Sequence, residues 1–457
     1  NPLLNYNHSV IRRLDLRPHL SAGSISRTEL RALIPRAPIS INSVAEQVAA
    51  IIESVRGGDE NSVLGLVEKF DGIRPQSVRV PDEVIDAAEI DLDSKVRVAL
   101  EKSIHRIRKV HESQRRSESR VEVVTGGVIT ERWVPIDRVA LYVPGGKAVY
   151  PSSVMMNVIP AQIAGVKSIA ILSPAQKDHD GWPHPTILAA AKMLGVDEIY
   201  AIGGAVAIAA ATFGVKDSSG SMVMEPADMV TGPGNIYVAA AKRALRGLIG
   251  IDSEAGPTEI AIIADESADP VAVATDLISQ AEHDAIAAAV LITDSLSLAE
   301  KVEAEVVRRV PRTKHSARIE EALRGVQSCI ALVNSMAEAV EVANHYGAEH
   351  LEIQTTDDAR WAREIRNAGA IFLGRYSPVS LGDYSAGSNH VLPTGGCACH
   401  SSGLSVQSFL KGLHFVEYSE SALEEIGDCV ITLAEAEDLP AHGEAIAARF
   451  EKGLGDR

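Results

Sequence analysis

The length and composition of the chain exclude several classes of protein. Its 457 residues are too many for one hydrophobic core, and 46% hydrophobic with 23% charged residues is typical of a globular protein. With 61 acidic against 44 basic residues the net charge is −17, which disfavours nucleic acids and acidic membranes as partners. The four cysteines all lie in the last third, are too few for a disulfide scaffold, and favour a reducing, cytoplasmic location.

The first part of the chain predicts an arm followed by helices. Residues 1–47 carry scattered charge and prolines without sustained periodicity, so we expect an N-terminal arm or a short helical element. Apolar residues recur at helical spacing in 43–70, and a second helical pattern spans 94–116. The first thirty residues lack the apolar segment of a secretory signal, and no uncharged stretch is typical of a membrane span.

From residue 138 onwards, short runs rich in Val, Ile and Ala alternate with helical patterns. This alternation predicts parallel strands joined by crossover helices, hence an α/β fold. The predicted strands are 138–143, 168–173, 198–202 and 228–231 in a first block, and 259–264, 288–293, 329–333, 351–355 and 370–374 in a second.

We therefore predict two tandem Rossmann-like α/β domains, incomplete and each built on a parallel sheet, between an N-terminal arm and a helical C-terminal tail. Such domains usually bind ligands at the cleft where they meet. The glycine-, serine- and proline-rich loop 375–405 is long enough to be functional. The predicted boundaries are 1–47 for the arm, 48–141 with 258–404 for a discontinuous first α/β domain, 142–257 for the second, and 405–457 for the tail.

Two glycine-rich strings give a weak signal for a nucleotide. The dinucleotide fingerprint G-x-G-x-x-G is absent. Gly232-Pro233-Gly234-Asn235 lies between a predicted strand and a predicted helix, where its backbone could cradle an anionic group. Gly145-Gly146 is a second such candidate. A plain tight turn is the more frequent role of either string, so these residues alone predict no nicotinamide cofactor.

Several side chains could bind a metal, but each is ambiguous alone. Gln280 and His283 are three residues apart at the end of a predicted helix and project from one face. They could share a metal, although a capping hydrogen bond is the more common role of such a pair. Asp383 and His390 lie in the irregular loop and His442 lies in the tail, and none of the three is diagnostic.

Two further groupings are also open to more than one interpretation. Cys397-Ala398-Cys399-His400 suggests thiolate zinc ligands, but no second Cys or His pair stands at zinc-finger spacing. Glu349 and His350 place a carboxylate beside an imidazole at a helix-to-strand junction. Neighbours on a regular strand face opposite ways, so the pair serves one site only if the backbone turns there. The alternative is an ordinary surface pair.

Taken together, the segments between about 138 and 450 resemble the histidinol dehydrogenases in order and in spacing. The N-terminal part fits the overall length of that family. The residues that carry the resemblance are Tyr142-Val143-Pro144-Gly145-Gly146, Thr231-Gly232-Pro233-Gly234-Asn235, Ala255-Gly256-Pro257-Thr258-Glu259, Ser279-Gln280-Ala281-Glu282-His283, Ala348-Glu349-His350-Leu351-Glu352, Gly382-Asp383-Tyr384, Ser388-Asn389-His390-Val391-Leu392-Pro393-Thr394 and Leu439-Pro440-Ala441-His442.

The resemblance implies an oxidoreductase that uses zinc and NAD⁺. It implies oxidation of L-histidinol through L-histidinaldehyde to L-histidine, the last steps of histidine biosynthesis, with two NAD⁺ in sequence. Two imidazoles, a carboxylate and an amide would form a low-charge site that suits zinc, which we expect to position the substrate more than to activate water. The family's metal ligands fall on Gln280, His283, Asp383 and His442.

The family's acid–base pair falls on Glu349 and His350. His350, a residue type that titrates near neutral pH, is suited to take the hydroxyl proton as hydride leaves. Glu349, in the family's pattern, activates the water that adds to the aldehyde. The family's substrate contacts fall on Thr258, Gln280, His283, His350, Asp383, His390, Glu437 and His442.

For the dinucleotide, the family's contacts fall on Tyr142 and Asn235. A third contact is usually the glutamine of a Gly-Gly-Ala-Gln string, but this chain has Val206 at that position, so one polar contact to NAD⁺ is missing. Family members are homodimers in which the tail of one subunit completes the partner's site. By that resemblance, Glu437 and His442 would act across the interface.

Three other functions stay open. A related zinc- and NAD-dependent dehydrogenase could act on another small amino or hydroxy alcohol, although Glu437 and His442 weigh against it. A zinc-dependent hydrolase could use Glu349 with a metal-bound water, and it would form no NADH. A catalytically silent small-molecule binding protein has only Val206 in its favour.

Overall fold

The computed structural model describes residues 10–20, 25–37, 41–145, 149–254 and 256–450. Its strands are β1 (Arg12–Asp15), β2 (Ser119–Val124), β3 (Gly127–Pro135), β4 (Arg138–Tyr142), β5 (Ser168–Ser173), β6 (Ile199–Ala201), β7 (Val215–Lys216), β8 (Met222–Met224), β9 (Met229–Thr231), β10 (Gly250–Ile251), β11 (Glu259–Ala264), β12 (Ala288–Thr293), β13 (Cys329–Leu332), β14 (His350–Gln354), β15 (Ala370–Leu373) and β16 (Leu410–Tyr418).

The helices alternate with these strands over most of the chain. They are α1 (Arg17–Leu20), α2 (Arg27–Leu33), α3 (Ala45–Arg56), α4 (Glu60–Asp71), α5 (Asp82–Ile90), α6 (Ser94–Glu112), α7 (Pro151–Ala164), α8 (Pro185–Met193), α9 (Gly204–Phe213), α10 (Ile236–Leu245), α11 (Pro270–Ala281), α12 (Leu296–Arg309), α13 (Ser316–Arg324), α14 (Met336–Tyr346), α15 (Asp358–Glu364), α16 (Val379–Tyr384), α17 (Glu420–Ala436) and α18 (Pro440–Ala447). The chain divides into two compact units, Asn1–Gln114 with Ile136–Ser408, and Arg115–Pro135 with Phe409–Arg457.

The larger sheet of the first unit is parallel throughout. Within the described residues it has the order β1-β13-β12-β11-β14-β15. β11 and β12 are buried along their whole length, as expected where helices cover both faces of a sheet. Ile260 and Ile262 belong to a core with α11, α12 and α13, whereas Ala261 and Ile263 belong to a core with α14. Alternate residues of one strand thus supply two cores.

The second sheet of the first unit is also parallel, with the order β10-β9-β4-β5-β6 in the described part of the chain. Its helices α7 and α9 are apolar on nearly every side. A helix of that kind must be covered all round. The N-terminal helices provide the cover, because α6 packs against α7, α5 against α8, and α3 against α9.

The α/β class and the parallel sheets predicted from the sequence are confirmed. The predicted strands 168–173, 259–264 and 288–293 coincide with β5, β11 and β12. The arm differs from the prediction, since Arg12–Asp15 form β1, which pairs with β13. β1 is an edge strand whose residues are alternately half-buried and exposed, so it lacks the apolar run that predicts a buried strand.

The division of the first unit into two α/β domains stays a prediction. The two sheets support it, but the predicted boundary between residues 141 and 142 falls inside β4. The helices α3, α5 and α6 were assigned by sequence to the domain of the six-stranded sheet, whereas they pack against helices of the five-stranded sheet. Their amphipathic patterns predict one buried face each but not which sheet buries it.

The second unit is a small antiparallel sheet with two helices. Its strand order is β16-β3-β2, and α17 packs against α18. The prediction of a helical tail is therefore correct for α17 and α18 but misses β16, which pairs with β3 from Leu410 to Tyr418. Within the described part of the chain, none of the helices combines the length and the apolar character that a bilayer crossing requires.

Candidate active site

The starts of β11 and β14 lie side by side, because these parallel strands pair with Ile260 opposite His350. Glu349 directly precedes β14. Its side chain therefore need not follow the rule that successive strand residues point to opposite faces of the sheet. Glu349 Oε2 accepts hydrogen bonds from Thr258 Oγ1 at 2.6 Å and from the backbone N–H of Glu259 at 3.0 Å. The same oxygen lies 3.5 Å from His350 Nδ1. The backbone therefore does turn here, and the carboxyl and the imidazole meet.

His350 is buried, and its Nδ1 lies 3.2 Å from the carbonyl oxygen of Glu259. A carbonyl oxygen only accepts, so Nδ1 carries the hydrogen of the neutral ring and Nε2 keeps the lone pair. Nε2 has no hydrogen-bond partner among the described residues and lies 3.9 Å from Asp383 Oδ1. Burial lowers the pKa of His350, against the opposing effect of the Asp383 carboxylate. The ring is therefore neutral at pH 7 and can accept a proton at Nε2.

The pKa of the Glu349 carboxyl is shifted in the opposite direction, upwards. Burial raises the pKa of Glu349 to about 8, although the hydrogen bonds from Thr258 and Glu259 favour its charged form. A group whose pKa lies near the pH of the reaction can both take and release a proton. Glu349 and His350 are thus two titratable groups whose side chains lie 3.5 Å apart.

The end of α11 supplies the next side chains. α11 connects the parallel strands β11 and β12, so it runs back over the sheet and ends at the amino ends of the strands. Gln280 is buried there, and its Nε2 donates to Thr258 Oγ1 at 2.6 Å. Because Thr258 in turn donates to Glu349, the three side chains form one hydrogen-bonded chain. His283 follows the end of α11 and keeps an exposed surface.

Helix α16 and the loop after it complete the cluster. Asp383 lies in α16, and its carboxylate is close enough to favour the charged forms of His283, His350 and His390. Desolvation by the surrounding protein is the larger effect and lowers the pKa of all three imidazoles. His390 Nδ1 lies 2.9 Å from the carbonyl oxygen of Asp383, and its Nε2 lies 3.3 Å from Ser153 Oγ.

A carboxyl pair that the sequence analysis missed, with Glu352 buried and Asp276 half-buried, supports α16. Glu352 Oε1 accepts from the backbone N–H of Val379, the first residue of α16, at 2.9 Å. Gln354 Nε2 donates to Glu352 Oε2 at 2.9 Å and to Asp276 Oδ2 at 3.2 Å. Burial and the neighbouring carboxyl raise the pKa of Glu352, and burial also raises that of Asp276. The only signal in the sequence was an acidic residue inside a predicted strand.

Two of the predicted site residues belong to the second unit. Glu437 follows the end of α17 and His442 lies in α18, and both side chains are exposed there. The other predicted metal and substrate contacts lie in the first unit. No group of three or more His, Cys, Asp or Glu side chains in the described residues is arranged to hold a metal ion. The assignment of ligands and of site residues therefore stays a prediction.

The five-stranded sheet presents a different surface, at the carboxyl ends of its strands. Tyr142, the last residue of β4, is buried, and its hydroxyl oxygen accepts from the backbone N–H of Gly204 at 3.2 Å. Burial raises the pKa of Tyr142 to about 12, so the phenol stays neutral and can donate its own hydrogen. Asn235 caps α10, with Oδ1 accepting from Tyr237 and Val238 at 3.0 and 3.3 Å. Gly146 of the predicted glycine pair lies outside the described residues.

Gly232 is held between two charged side chains that the sequence analysis did not identify. Its φ is 113°, and a Cβ would come within 2.0 Å of the carbonyl oxygen of Tyr142. Asp252 Oδ2 accepts from the N–H of Gly232 at 2.8 Å, and Lys242 Nζ donates to its carbonyl oxygen at 2.6 Å. Lys242 and Asp252 are themselves paired at 2.6 Å and nearly inaccessible to solvent. Glycine is required at this position, and the ion pair fixes both sides of it.

One side-chain contact connects elements of the two surfaces within the first unit. Ser153 lies in the first turn of α7, which follows β4, and it contacts His390 beside the ionisable cluster. Farther along, Thr394 Oγ1 accepts from the N–H of Gly256 at 2.6 Å. A cluster of buried ionisable groups is thus connected to an element that follows β4. An α/β fold with such a cluster is typical of an enzyme.

Comparison with known proteins identifies the family. The sequence profile of the histidinol dehydrogenases matches residues 34–450. The chain is 59% identical to the histidinol dehydrogenase of Streptomyces avermitilis, over 96% of this chain and 98% of that protein. It is 57% identical to that of Thermobifida fusca, over 97% of this chain and 98% of that protein.

A solved structure agrees with these relatives. The crystal structure of histidinol dehydrogenase from Elizabethkingia anophelis matches with a TM-score of 0.89 and 32% identity, covering 97% of this chain and 99% of that one. The chain belongs to the histidinol dehydrogenase family. The predictions of an oxidoreductase and of a role in histidine biosynthesis are confirmed at the level of the family name.

Proposed function

We propose that the chain is a zinc-dependent histidinol dehydrogenase that oxidises L-histidinol through L-histidinaldehyde to L-histidine with two NAD⁺. The observation that carries this proposal is the position of His350. Its ring is buried, with Nδ1 at the carbonyl oxygen of Glu259 and beside the Glu349 carboxyl, and with Nε2 near Asp383. An alcohol oxidation needs such an acceptor, because the hydroxyl proton must leave as the hydride leaves.

Zinc fits the donor groups available. Asp383 offers a carboxylate, His283 an imidazole and Gln280 an amide oxygen, since the nitrogen of that amide is bonded to Thr258. Such nitrogen and oxygen donors suit zinc without any thiolate. When bound, zinc would hold and polarise the substrate. We propose His442 of a second copy as the remaining ligand, which agrees with its exposure on the second unit.

In the first oxidation, His350 takes the hydroxyl proton at Nε2. The carbonyl oxygen of Glu259 accepts the hydrogen at Nδ1, which keeps the ring in the tautomer that can act as a base. The imidazolium that forms is stabilised by the nearby carboxylate of Asp383. This arrangement explains why a buried histidine, whose burial disfavours charge, can still be protonated during turnover.

In the second oxidation, Glu349 acts on the water that adds to the aldehyde. Thr258 and the N–H of Glu259 hold its Oε2, and Gln280 in turn holds Thr258. A carboxyl with its pKa raised to about 8 is a stronger base, once ionised, than an ordinary glutamate. The same hydrogen-bonded chain thus links the general base of this step to a proposed metal ligand.

NAD⁺ fits the carboxyl edge of the five-stranded sheet. Tyr142 has a hydroxyl hydrogen to donate, and a Cβ built on Gly204 would meet no described atom within 4 Å. Ligands of parallel sheets usually bind at the carboxyl ends of the strands. Ser153 joins this edge to His390 beside the acid–base cluster, so a nicotinamide placed there would face the carbon to be oxidised.

The state of assembly and the location in the cell are part of the same proposal. We propose a homodimer in which Glu437 and His442 act in the site of a second copy, supported by the exposure of both side chains. A cytoplasmic location agrees with the four free cysteines, Cys329, Cys397, Cys399 and Cys429.

The stoichiometry of the reaction tests this function. Purified protein with zinc, excess NAD⁺ and a known amount of L-histidinol is expected to form two NADH and one L-histidine per histidinol consumed. Preference for another small amino or hydroxy alcohol would indicate the related dehydrogenase instead. Turnover without NADH would indicate a hydrolase, and binding without turnover a silent binding protein.

A further inference from the structure

Two polar atoms at the end of β5 lack partners. Ser173 Oγ and Gln176 Nε2 are buried, and neither has a hydrogen-bond partner within the described part of the chain. Buried polar groups are almost always paired, because leaving one unpaired is costly. An unpaired donor at the carboxyl edge of a parallel sheet therefore suggests a partner that the protein alone does not supply.

Both atoms lie at the carboxyl edge of the five-stranded sheet. β5 pairs with β4 on one side and β6 on the other, with Leu172 opposite Tyr142 and Ser173 opposite Ala201. Gln176 Nε2 lies 3.1 Å from where a Cβ of Gly145 would be. The amide thus lies against the glycine that follows β4, on the surface already described as backbone-lined.

The neighbouring helix offers no polar side chain for a ligand. α9 begins Gly204-Ala205-Val206-Ala207, and its N-cap Gly203 makes no side-chain capping bond. Val206 is 2% exposed, so its side chain belongs to the core. A Cβ on Gly203 would come within 2.9 Å of Pro174, so the segment that carries Gln176 lies next to a helix start that offers no polar side chain.

The backbone of Gln176 is fixed. Its N–H donates to the carbonyl oxygen of Trp182 at 3.2 Å, and its carbonyl oxygen accepts from His179 and Gly181 at 3.2 and 3.0 Å. One residue earlier, the N–H of Ala175 donates to the carboxyl of Asp71. The amide is thus presented from a rigid turn, which lowers the entropy lost on binding.

We propose that Gln176 binds NAD⁺, with Nε2 donating to an oxygen of the ADP-ribose half. This rests on the proposed function, which places the nicotinamide next to Ser153 and His390. Ser153 follows β4, whereas Gln176 follows β5, one strand farther from β9. A dinucleotide whose nicotinamide lies at Ser153 and whose other half extends towards β5 would reach Gln176.

Titration calorimetry of the full-length, zinc-loaded protein tests the assignment with NAD⁺, ADP-ribose and nicotinamide mononucleotide as separate probes. Gln176→Ala and the isosteric Gln176→Glu both remove the donor. Each is expected to weaken NAD⁺ and ADP-ribose by about fivefold or more, the value of one hydrogen bond, and to leave nicotinamide mononucleotide unchanged. Zinc content, kcat and the KM for histidinol should stay as in the unmodified protein, while the KM for NAD⁺ rises.

Lys177→Ala is the matched control, because this exposed neighbour lies in the same turn. It should bind all three probes like the unmodified protein. Unchanged ADP-ribose binding in both Gln176 variants would overturn the assignment, as would an equal loss in Lys177→Ala. If the unmodified protein binds neither NAD⁺ nor ADP-ribose, the proposed function itself fails, which is a distinguishable result.

Discussion

The two parallel sheets of the first unit use opposite edges. The six-stranded sheet gathers ionisable side chains at the amino ends of β11 and β14, whereas the five-stranded sheet presents glycines and backbone groups at the carboxyl ends of β4, β6 and β9. The carboxyl edge is the usual ligand site of such sheets. We propose the amino edge as a second ligand site here, since α11 ends there and α16 brings Asp383 to it.

The two edges differ in residue type because the chemistry proposed for each edge needs different groups. Acid–base chemistry needs side chains whose protonation is set by burial and charge, as for Glu349 and His350. The proposed dinucleotide edge instead uses close backbone packing, as where Gly232 lies against the carbonyl oxygen of Tyr142 with no room for a Cβ. Substitutions at the two edges should therefore impair different properties of the protein.

The largest effect is expected at the amino edge. His350→Ala removes the proton acceptor, so turnover should fall on the order of 10²–10⁴-fold. Zinc content and NAD⁺ affinity should be unchanged, because neither depends on Nε2 of His350. NADH formation, metal analysis and NAD⁺ titration measure the three quantities. His400→Ala, at an exposed histidine of the same unit, is the control, and normal turnover in His350→Ala would refute the base assignment.

At the carboxyl edge, a loss of stability and of NAD⁺ binding is expected. Lys242→Met leaves Asp252 buried without its cation and frees the carbonyl of Gly232. We expect a loss of roughly 3–5 kcal/mol in the free energy of unfolding and weaker NAD⁺ binding, with unchanged zinc content. Urea unfolding and titration calorimetry measure both. Arg243→Met changes the neighbouring exposed cation, and a loss of equal size there would show that burial of the pair is not the cause.

The smallest effect concerns the carboxyl pair under α16. Burial raises the pKa of Glu352 above its ordinary 4.5, so the folded chain holds a proton that the unfolded chain releases. Stability is then greatest below 4.5 for this group and declines as the pH rises through the raised pKa. Glu352→Gln removes that proton exchange while its amide oxygen can still accept from Val379.

The free energy of unfolding of Glu352→Gln should change less between about pH 5 and about pH 8 than that of the unmodified protein, by roughly 1–3 kcal/mol. Thermal or urea unfolding at the two pH values measures the difference. Glu321→Gln, at an exposed glutamate of α13, should keep the original pH dependence. An identical pH dependence in Glu352→Gln would show that this carboxyl is not held protonated.

The fold was predictable wherever a strand is buried on both faces. The apolar runs of β5, β11 and β12 coincide with the predicted strands because such runs have few other uses in a globular protein. β1 and β16 have no apolar run, since β1 contains a single apolar residue and β16 mixes polar with apolar ones, and both depend on pairing partners distant in sequence, β13 and β3. Pairing between distant segments has no local signature.

The residues of the candidate site likewise divide into those that the sequence predicts and those that it does not. The resemblance predicts Glu349 and His350 as the acid–base pair, which stays a prediction, and the structure places the carboxyl oxygen of Glu349 3.5 Å from Nδ1 of His350. Lys242 was missed, since its side chain is 1% exposed while that of the adjacent Arg243 is 51% exposed, and no local pattern separates the two. Which of two neighbouring cations is buried depends on the distant Asp252 and on how α10 packs.

A crystal structure of the zinc-loaded protein with histidinol, with an anomalous map at the zinc edge, tests the central claim most directly. We predict one zinc ion about 2.0–2.2 Å from Gln280, His283 and Asp383 and from His442 of a second copy, with the substrate hydroxyl within hydrogen-bond distance of His350 Nε2. Zinc bound elsewhere, or these four side chains scattered in the assembled protein, would contradict it.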